Sequence, residues 1–177
     1  LAAQTLGRER FEVLVVDDGS QPPAQPAPNG LRLEILRQSN RGPAAARNLG
    51  SSRARAEILA FTDDDCRPRA GWLEALVEAA GRHPGALLGG ATRNGLDDNP
   101  YAEASQLIQD QVYRWYNCGA DGARFFASNN LAAPRRAFLD LGGFHPEFRT
   151  AEDRDLCDRW RAAGGRRRVA GGRGGRG

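Results

Sequence analysis

Glu12-Val13-Leu14-Val15-Val16-Asp17-Asp18-Gly19-Ser20 decides the fold class of this chain. Phe11 to Val16 is a run of mostly β-forming residues with no polar alternation after Glu12, the pattern of a parallel strand covered on both faces. Asp17 to Ser20 ends it in turn chemistry. Two further acidic clusters follow in similar settings. Phe61-Thr62-Asp63-Asp64-Asp65 closes a strand-like Ile58 to Phe61, and Ala151-Glu152-Asp153 opens a helical segment. In an open α/β sheet, ligands bind beyond the carboxyl ends of the strands, so clusters far apart in sequence can meet there. Carboxylates gathered at such an edge suit a divalent cation and a phosphate-bearing substrate.

Outward from that core, Gln21 to Gly30 carries four prolines and no periodicity, and reads as a surface loop. Leu31 to Leu36 alternates like a second strand. Gly42-Pro43 opens a helix through Ala44 to Ala56, with proline in the first turn, where its missing N–H does no harm. Trp72, Leu73, Leu76, Val77 and Ala80 recur at helical spacing, and Gly81 with Pro84 stops that helix before a strand over Ala86 to Ala91. Tyr101 to Tyr116 is a longer helix with Leu107, Ile108, Val112, Trp115 and Tyr116 on its apolar side. Phe125 to Ala133 is extended, Arg135 to Leu141 is a short helix ended by Gly142-Gly143, and Asp153 to Ala163 is the last helix, burying Leu156, Cys157 and Trp160. Strands alternating with helices predict an α/β fold with a mostly parallel sheet.

The 177 residues suit one domain. No run approaches the roughly 18 apolar residues of a membrane span. The net charge of +3 misleads, because five arginines, Arg166, Arg167, Arg168, Arg173 and Arg176, lie in a tail without acids, leaving residues 1–165 net acidic. That argues against a nucleic-acid surface. Lysine and methionine are absent, and we read the chain as a fragment. Cys66, Cys118 and Cys157 are odd in number and lack metal-ligand or redox spacing, so reduced thiols are expected. The tail from Gly164 to Gly177 cannot build a core and is expected to be disordered. Its Arg-Gly repeats lack the aromatic residues that interleave in an RNA-binding segment.

Asp63 and Asp65 project from one side of an extended segment, and a hard cation would relieve the repulsion among the three adjacent aspartates. Asp17 and Asp18 can accept hydrogen bonds from a base or from ribose hydroxyls, although Asp-Gly is also ordinary turn chemistry. Gly42-Pro43-Ala44-Ala45-Ala46-Arg47-Asn48 puts small side chains at a helix start and leaves Arg47 to pair with a diphosphate or an aspartate. The alanines equally suit plain helix–sheet packing. Asp153 at a helix start is a cap, a catalytic carboxylate, or both.

With these motifs in this order, Leu1 to about Gly164 resembles the family 2 glycosyltransferases of the GT-A fold, a Rossmann-like three-layer sandwich. The resemblance rests on Glu12 to Ser20, Asn40 to Asn48, Asp63-Asp64-Asp65, Gly142-Gly143-Phe144 and Glu152-Asp153-Arg154-Asp155-Leu156. It implies a partial catalytic domain over residues 1–164 and a separate Arg/Gly tail over 165–177. It implies that Asp17 and Asp18 contact the nucleoside and that Asp63, with Asp64 and Arg47, meets the ribose or diphosphate. Asp65, the last residue of a DXD motif, would hold Mg2+ or Mn2+. Asn129, within Ser128-Asn129-Asn130, would face the donor sugar or acceptor, Asp153 would be the general base, and Glu152 would sit beside it in the catalytic pair.

The implied reaction is inverting transfer of a sugar from a nucleotide-diphosphate donor to a hydroxyl of a saccharide, lipid or small molecule, in polysaccharide, glycolipid or related synthesis. The implied location is cytoplasmic, with the inner face of a membrane open to the full-length protein. The family's first strand, central in its sheet, is missing here, and past Gly164 the family's next strand is replaced by arginine and glycine. The alternatives are a sugar-phosphate nucleotidyltransferase, which would need a Gly-rich triphosphate loop, and an inactive nucleotide-binding fragment. Trp115 and Tyr116 could stack on an acceptor sugar, or belong to the core.

Overall fold

The computed structural model describes every residue except 26–29, 97, 119–122, 149 and 171–177. Six strands and five helices follow in the order β1 (Val13–Asp17), β2 (Leu33–Arg37), α1 (Pro43–Arg53), β3 (Ile58–Phe61), α2 (Trp72–Arg82), β4 (Leu87–Gly89), α3 (Pro100–Asn117), β5 (Leu131–Pro134), α4 (Arg135–Asp140), α5 (Glu152–Ala162) and β6 (Arg167–Val169). The expected boundaries hold to within a few residues, except that the segment expected to be extended over Phe125 to Ala133 is a strand only from Leu131, after a 3-10 turn at Ser128–Asn130. Part of the expected proline-rich loop, residues 26–29, lies outside the described residues.

Three layers result, because side chains alternate along the short strands. Leu59 and Phe61 of β3, Leu87 of β4, and Leu131 and Ala133 of β5 face a core shared with α1, α4 and α5. Ile58, Leu88 and Ala132 face the other way, onto Leu76 and Ala79 of α2. Phe61, Phe138 and Phe144 form an aromatic triangle with centroids 5.3 to 5.4 Å apart. Phe138 is fully buried within it. Phe138→Ala is therefore expected to cost about 3–5 kcal/mol, read as a lower urea midpoint at unchanged slope.

The strands form a pair, β1-β2, and a sheet ordered β3-β5-β4-β6. β1 and β2 are parallel, as are β4 and β6, while β5 runs antiparallel between β3 and β4. The mostly parallel sheet thus contains one reversed strand. Extended character alone does not reveal direction, which is why the sequence gives no sign of the reversal.

β1 and β3 start side by side, since Glu12 accepts from the backbone N–H of Arg55 and Ala56 at 2.7 and 3.2 Å. Among the described residues they share no strand pairing. Val13 to Val16 are half-buried, whereas the sequence pattern predicts a strand covered on both faces.

The tail expectation needs correction. Arg167–Val169 pairs with β4 as a parallel edge strand. Arg167 is buried, and its guanidinium donates to the carbonyls of Arg124 and Cys157. Three residues with a chain neighbour already in place need backbone pairing more than an apolar pattern, so composition was a poor guide. Residues 171–177 lie outside the described residues.

Helix α3 also departs from expectation. It has no fully buried residue, and Tyr101, Leu107, Ile108 and Trp115 are exposed. Its inner side is held instead by Gln106 and Asn117, which donate to backbone carbonyls, and by Tyr113, whose hydroxyl accepts from Ala127 N–H. No helix among the described residues is long and apolar enough to cross a membrane.

Candidate active site

Asp17 is buried, and its carboxylate is fully engaged. It accepts from the N–H groups of Ser20 and Ala24 and from Arg37 Nη1, at 2.7, 3.1 and 2.8 Å. The Ser20 N–H, with the other donors, holds it down to about pKa 2 against the cost of desolvation. It organises the turn after β1. Asp18 accepts from Gln38 Nε2 at 2.6 Å and from the N–H groups of Arg41 and Gly42 at 2.9 and 2.8 Å. Burial opposes its ionised form, but these donors outweigh that and leave its carboxyl below the usual range. Gly42 precedes α1 with a φ of +88°, a conformation that favours glycine.

Helix α1 is the connecting piece. Its start is tied to Asp18, and one turn later Arg47 donates from Nη2 to Asp63 Oδ1 and from Nη1 to Glu152 Oε1, both at 2.8 Å. Asn48, next along, holds Phe144 in both directions: its Nδ2 donates to the Phe144 carbonyl and its Oδ1 accepts the Phe144 N–H. Any side chain at Gly143 would strike Asn48, with an added Cβ 2.5 Å from Oδ1. That, with positive φ at Gly142 and Gly143, accounts for Gly142-Gly143-Phe144. Arg47 lies over the Phe144 ring, 5.7 Å from its centroid. One helix thereby gathers all three acidic clusters.

In the second cluster, Asp63 is the member held by Arg47, while Asp64 and Asp65 are exposed. Asp65 Oδ1 accepts from the Cys66 thiol at 3.6 Å. Among the described residues, no three His, Cys, Asp or Glu side chains are grouped as a complete metal cage. Two exposed carboxylates side by side still fit a hard cation, which keeps positions for further oxygens and water.

In the third cluster the two carboxylates divide. Glu152 is buried and committed to Arg47. Asp153 Oδ2 accepts from Ser128 N–H at 3.3 Å and its Oδ1 from Arg154 N–H at 2.8 Å. Burial is the largest influence on Asp153 and pushes its carboxyl up. The charge of Glu152 adds to this, and the two N–H groups pull partly back. A raised carboxyl is better able to take a proton near neutrality.

The turn that holds Asp153 carries the expected Asn129, whose Oδ1 is buried without a hydrogen-bond partner. Asn130 is instead structural, donating to the Ala91 carbonyl and accepting from Trp72 Nε1 at 2.9 Å. Tyr116 lies under Arg154, 5.0 Å from guanidinium to ring centroid, and against Phe125, while Trp115 is exposed. Tyr113, whose hydroxyl accepts from Ala127 N–H at 2.7 Å, and Asn48 were missed as site-building residues. Adjacency to Arg47 was the available signal for Asn48, and nothing local marked Tyr113. Cys66, Cys118 and Cys157 are free, and burial pushes the Cys157 thiol up to about 11.

Residues 1–146 match the family model described as glycosyl transferase family 2. The chain is 31% identical over 166 residues to the pre-mycofactocin glycosyltransferase of Mycobacterium tuberculosis, covering 89% of this chain and 35% of that protein. Glycosyltransferase AglE of Haloferax volcanii is 38% identical over 96 residues, covering 51% of this chain and 32% of AglE. The chain thus spans about a third of the length of these relatives. Among solved structures, the Pyrobaculum calidifontis mannosyltransferase PcManGT in complex with GDP-Man and Mn2+ superposes with a TM-score of 0.68 at 21% identity, covering 94% of this chain and 47% of that one. S. aureus TarS gives 0.66 at 20%, covering 89% and 48%. With its α/β layers in the GT-A arrangement, this chain belongs to glycosyl transferase family 2.

Proposed function

We propose that this chain carries the donor site and general base of a metal-dependent, inverting glycosyltransferase. The observation that carries the reading is Arg47, which bridges the carboxylate after β3 to the carboxylate pair that opens α5. Without it, Asp63 and Asp153 would belong to separate loops. The names of the relatives and the nucleotide sugars held by PcManGT and TarS support the same reading.

In this reading the Asp63 and Asp64 side of the edge receives the nucleotide diphosphate, and Asp65 would hold Mg2+ or Mn2+. When bound, that cation supplies charge for the departing diphosphate. Asn129 offers its unpartnered oxygen to a hydroxyl of the donor sugar. Asp153 accepts the proton of the acceptor hydroxyl as its oxygen forms a bond to the anomeric carbon. The bond from that carbon to the diphosphate oxygen breaks on the opposite face, and its electron pair leaves with the diphosphate. Configuration inverts, and no covalent enzyme intermediate forms. Glu152 acts through position, not contact. Asp18 shapes the start of α1, and Asp17 the preceding turn. The free thiols accord with a reducing, cytoplasmic setting.

Calorimetric titration with UDP and GDP, each with Mn2+ and with EDTA, tests this reading. Nucleotide binding is expected only with the metal, and Asp65→Asn is expected to lose that metal-dependent part at unchanged stability. Equal affinity in EDTA would count against the proposed cation site.

A further inference from the structure

One cavity lies beyond the turn that holds Asp153, on the side away from Asp63. Gly90, Ala91, Tyr113, Asn117, Phe126 and Val169 help enclose about 300 Å3 there, at the lower end of small-molecule site volumes. A second cavity, of about 210 Å3, is lined by the first residues of β1 and β2, at the wrong end of the strands for this chemistry.

Strand register fixes the order of groups along the edge. Leu131, the first residue of β5, pairs with Phe61 on one side and Gly89 on the other, the last residues of β3 and β4. The turn Ser128–Asn130 therefore sits between the chain leading into Asp63 and the chain leading into Gly90. Asp153 is hydrogen-bonded to that turn through Ser128. Nucleotide side, general base and cavity follow in that order. Tyr113 is the partition: it lines the cavity, and its hydroxyl oxygen is bonded to Ala127, one residue before Ser128.

Among the described residues the walls are mostly apolar, and Arg114, which is exposed, is the one charged side chain that lines them. Asn117 is spent, with Nδ2 donating to the Phe125 carbonyl and Oδ1 accepting from Arg124 and Phe125. Phe126 lies so close to Gly89 that a Cβ there would overlap its ring. Val169 is half-exposed at the sheet edge, and Ala91 is exposed. Beyond what Arg114 could reach, a saccharide placed here would leave hydroxyls without partners, whereas an apolar group would lose none.

We propose that this cavity is an aglycone subsite: the acceptor is an alcohol or glycoside bearing an aromatic or branched aliphatic group, held here while its hydroxyl meets Asp153. This assignment rests on the transferase reading and adds no chemistry to it, since the acceptor O–H proton still goes to Asp153. Burial keeps Tyr113 protonated, so its hydroxyl, which accepts from Ala127 N–H, also carries a proton to donate toward an acceptor oxygen.

Saturation-transfer NMR with benzyl β-D-glucopyranoside and methyl β-D-glucopyranoside tests the proposal, with UDP plus Mn2+ titrated into the same samples. The benzyl glycoside is expected to bind about 10-fold or more tightly than the methyl glycoside. Ala91→Trp, which fills the cavity from an exposed position, is expected to abolish the preference and leave UDP binding unchanged. Val169→Gln on another wall is expected to reduce the preference as well. Equal binding of the two glycosides, or a benzyl preference that survives in both variants, overturns the subsite. Benzyl binding at the cavity by a chain that takes up neither UDP nor GDP with Mn2+ overturns the transferase reading instead, and the acceptor role with it.

Discussion

Asp153→Asn is expected to abolish sugar transfer while leaving the protein as stable as the parent, or more stable, at pH 7. Removing a positioned general base costs about 10²–10⁴-fold in rate. Stability moves the other way because of where the carboxylate sits. Its folded pKa lies above the ordinary value of 3.8, with burial as the first cause. The sign follows from linkage: the ionised form is disfavoured in the fold, so a stability penalty is absent below 3.8. It grows as pH rises toward the folded pKa and is complete above it. Asparagine relieves that penalty and still offers an oxygen to Ser128 N–H. Thermal melts from pH 4 to 8 should show the variant gaining on the parent as pH rises. The same raised pKa places the acid limb of kcat/KM above the usual carboxylate range, and that limb should vanish with the substitution. A variant that is inactive and also strongly destabilised would make Asp153 a cap of α5 instead of a base.

Most of the frame was legible because it is written in local periodicity. Pro43 starts α1, Gly142-Gly143 ends α4, and apolar residues at helical spacing mark α2 and α5. What escaped depends on partners distant in sequence. The direction of β5 follows from pairing with β3 and β4, which no residue between 125 and 134 advertises. β6 was hidden because Arg167-Arg168-Val169 has no core pattern of its own, and it is held by the open edge of β4. At the site, the three acidic clusters were visible as motifs, but their side chains are not equivalent. Asp17 is enclosed by its own turn, Asp18 by the start of α1, and Glu152 by Arg47. Asp153, Asp64 and Asp65 are left with lone pairs to use. A run of carboxylates announces a charged edge, and only the hydrogen-bond partners show which charges remain for a ligand.

Arg47→Met should produce the largest loss of stability among substitutions at this edge. The side chains of Arg47 and Glu152 are 16% and 10% exposed, so truncating the cation strands a buried carboxylate. The expected cost is about 3–5 kcal/mol, a fall in Tm of roughly 6–20 °C for a chain this size. The Asp63 arm contributes little, because that carboxylate is 38% exposed and solvent can replace the guanidinium. Arg47→Met/Glu152→Leu separates stability from function. With the stranded charge gone, an apolar pair should recover most of the lost stability in chemical denaturation. Metal-dependent UDP binding should stay weak, since Asp63 still lacks the group that holds it toward the diphosphate. Sugar transfer should fall further, because Asp153 is the neighbour of Glu152 and the ion pair fixes where α5 begins. Recovery of UDP affinity together with stability would mean that Arg47 serves packing alone. Recovery of stability without affinity identifies it as the residue that converts three separate acidic clusters into one site.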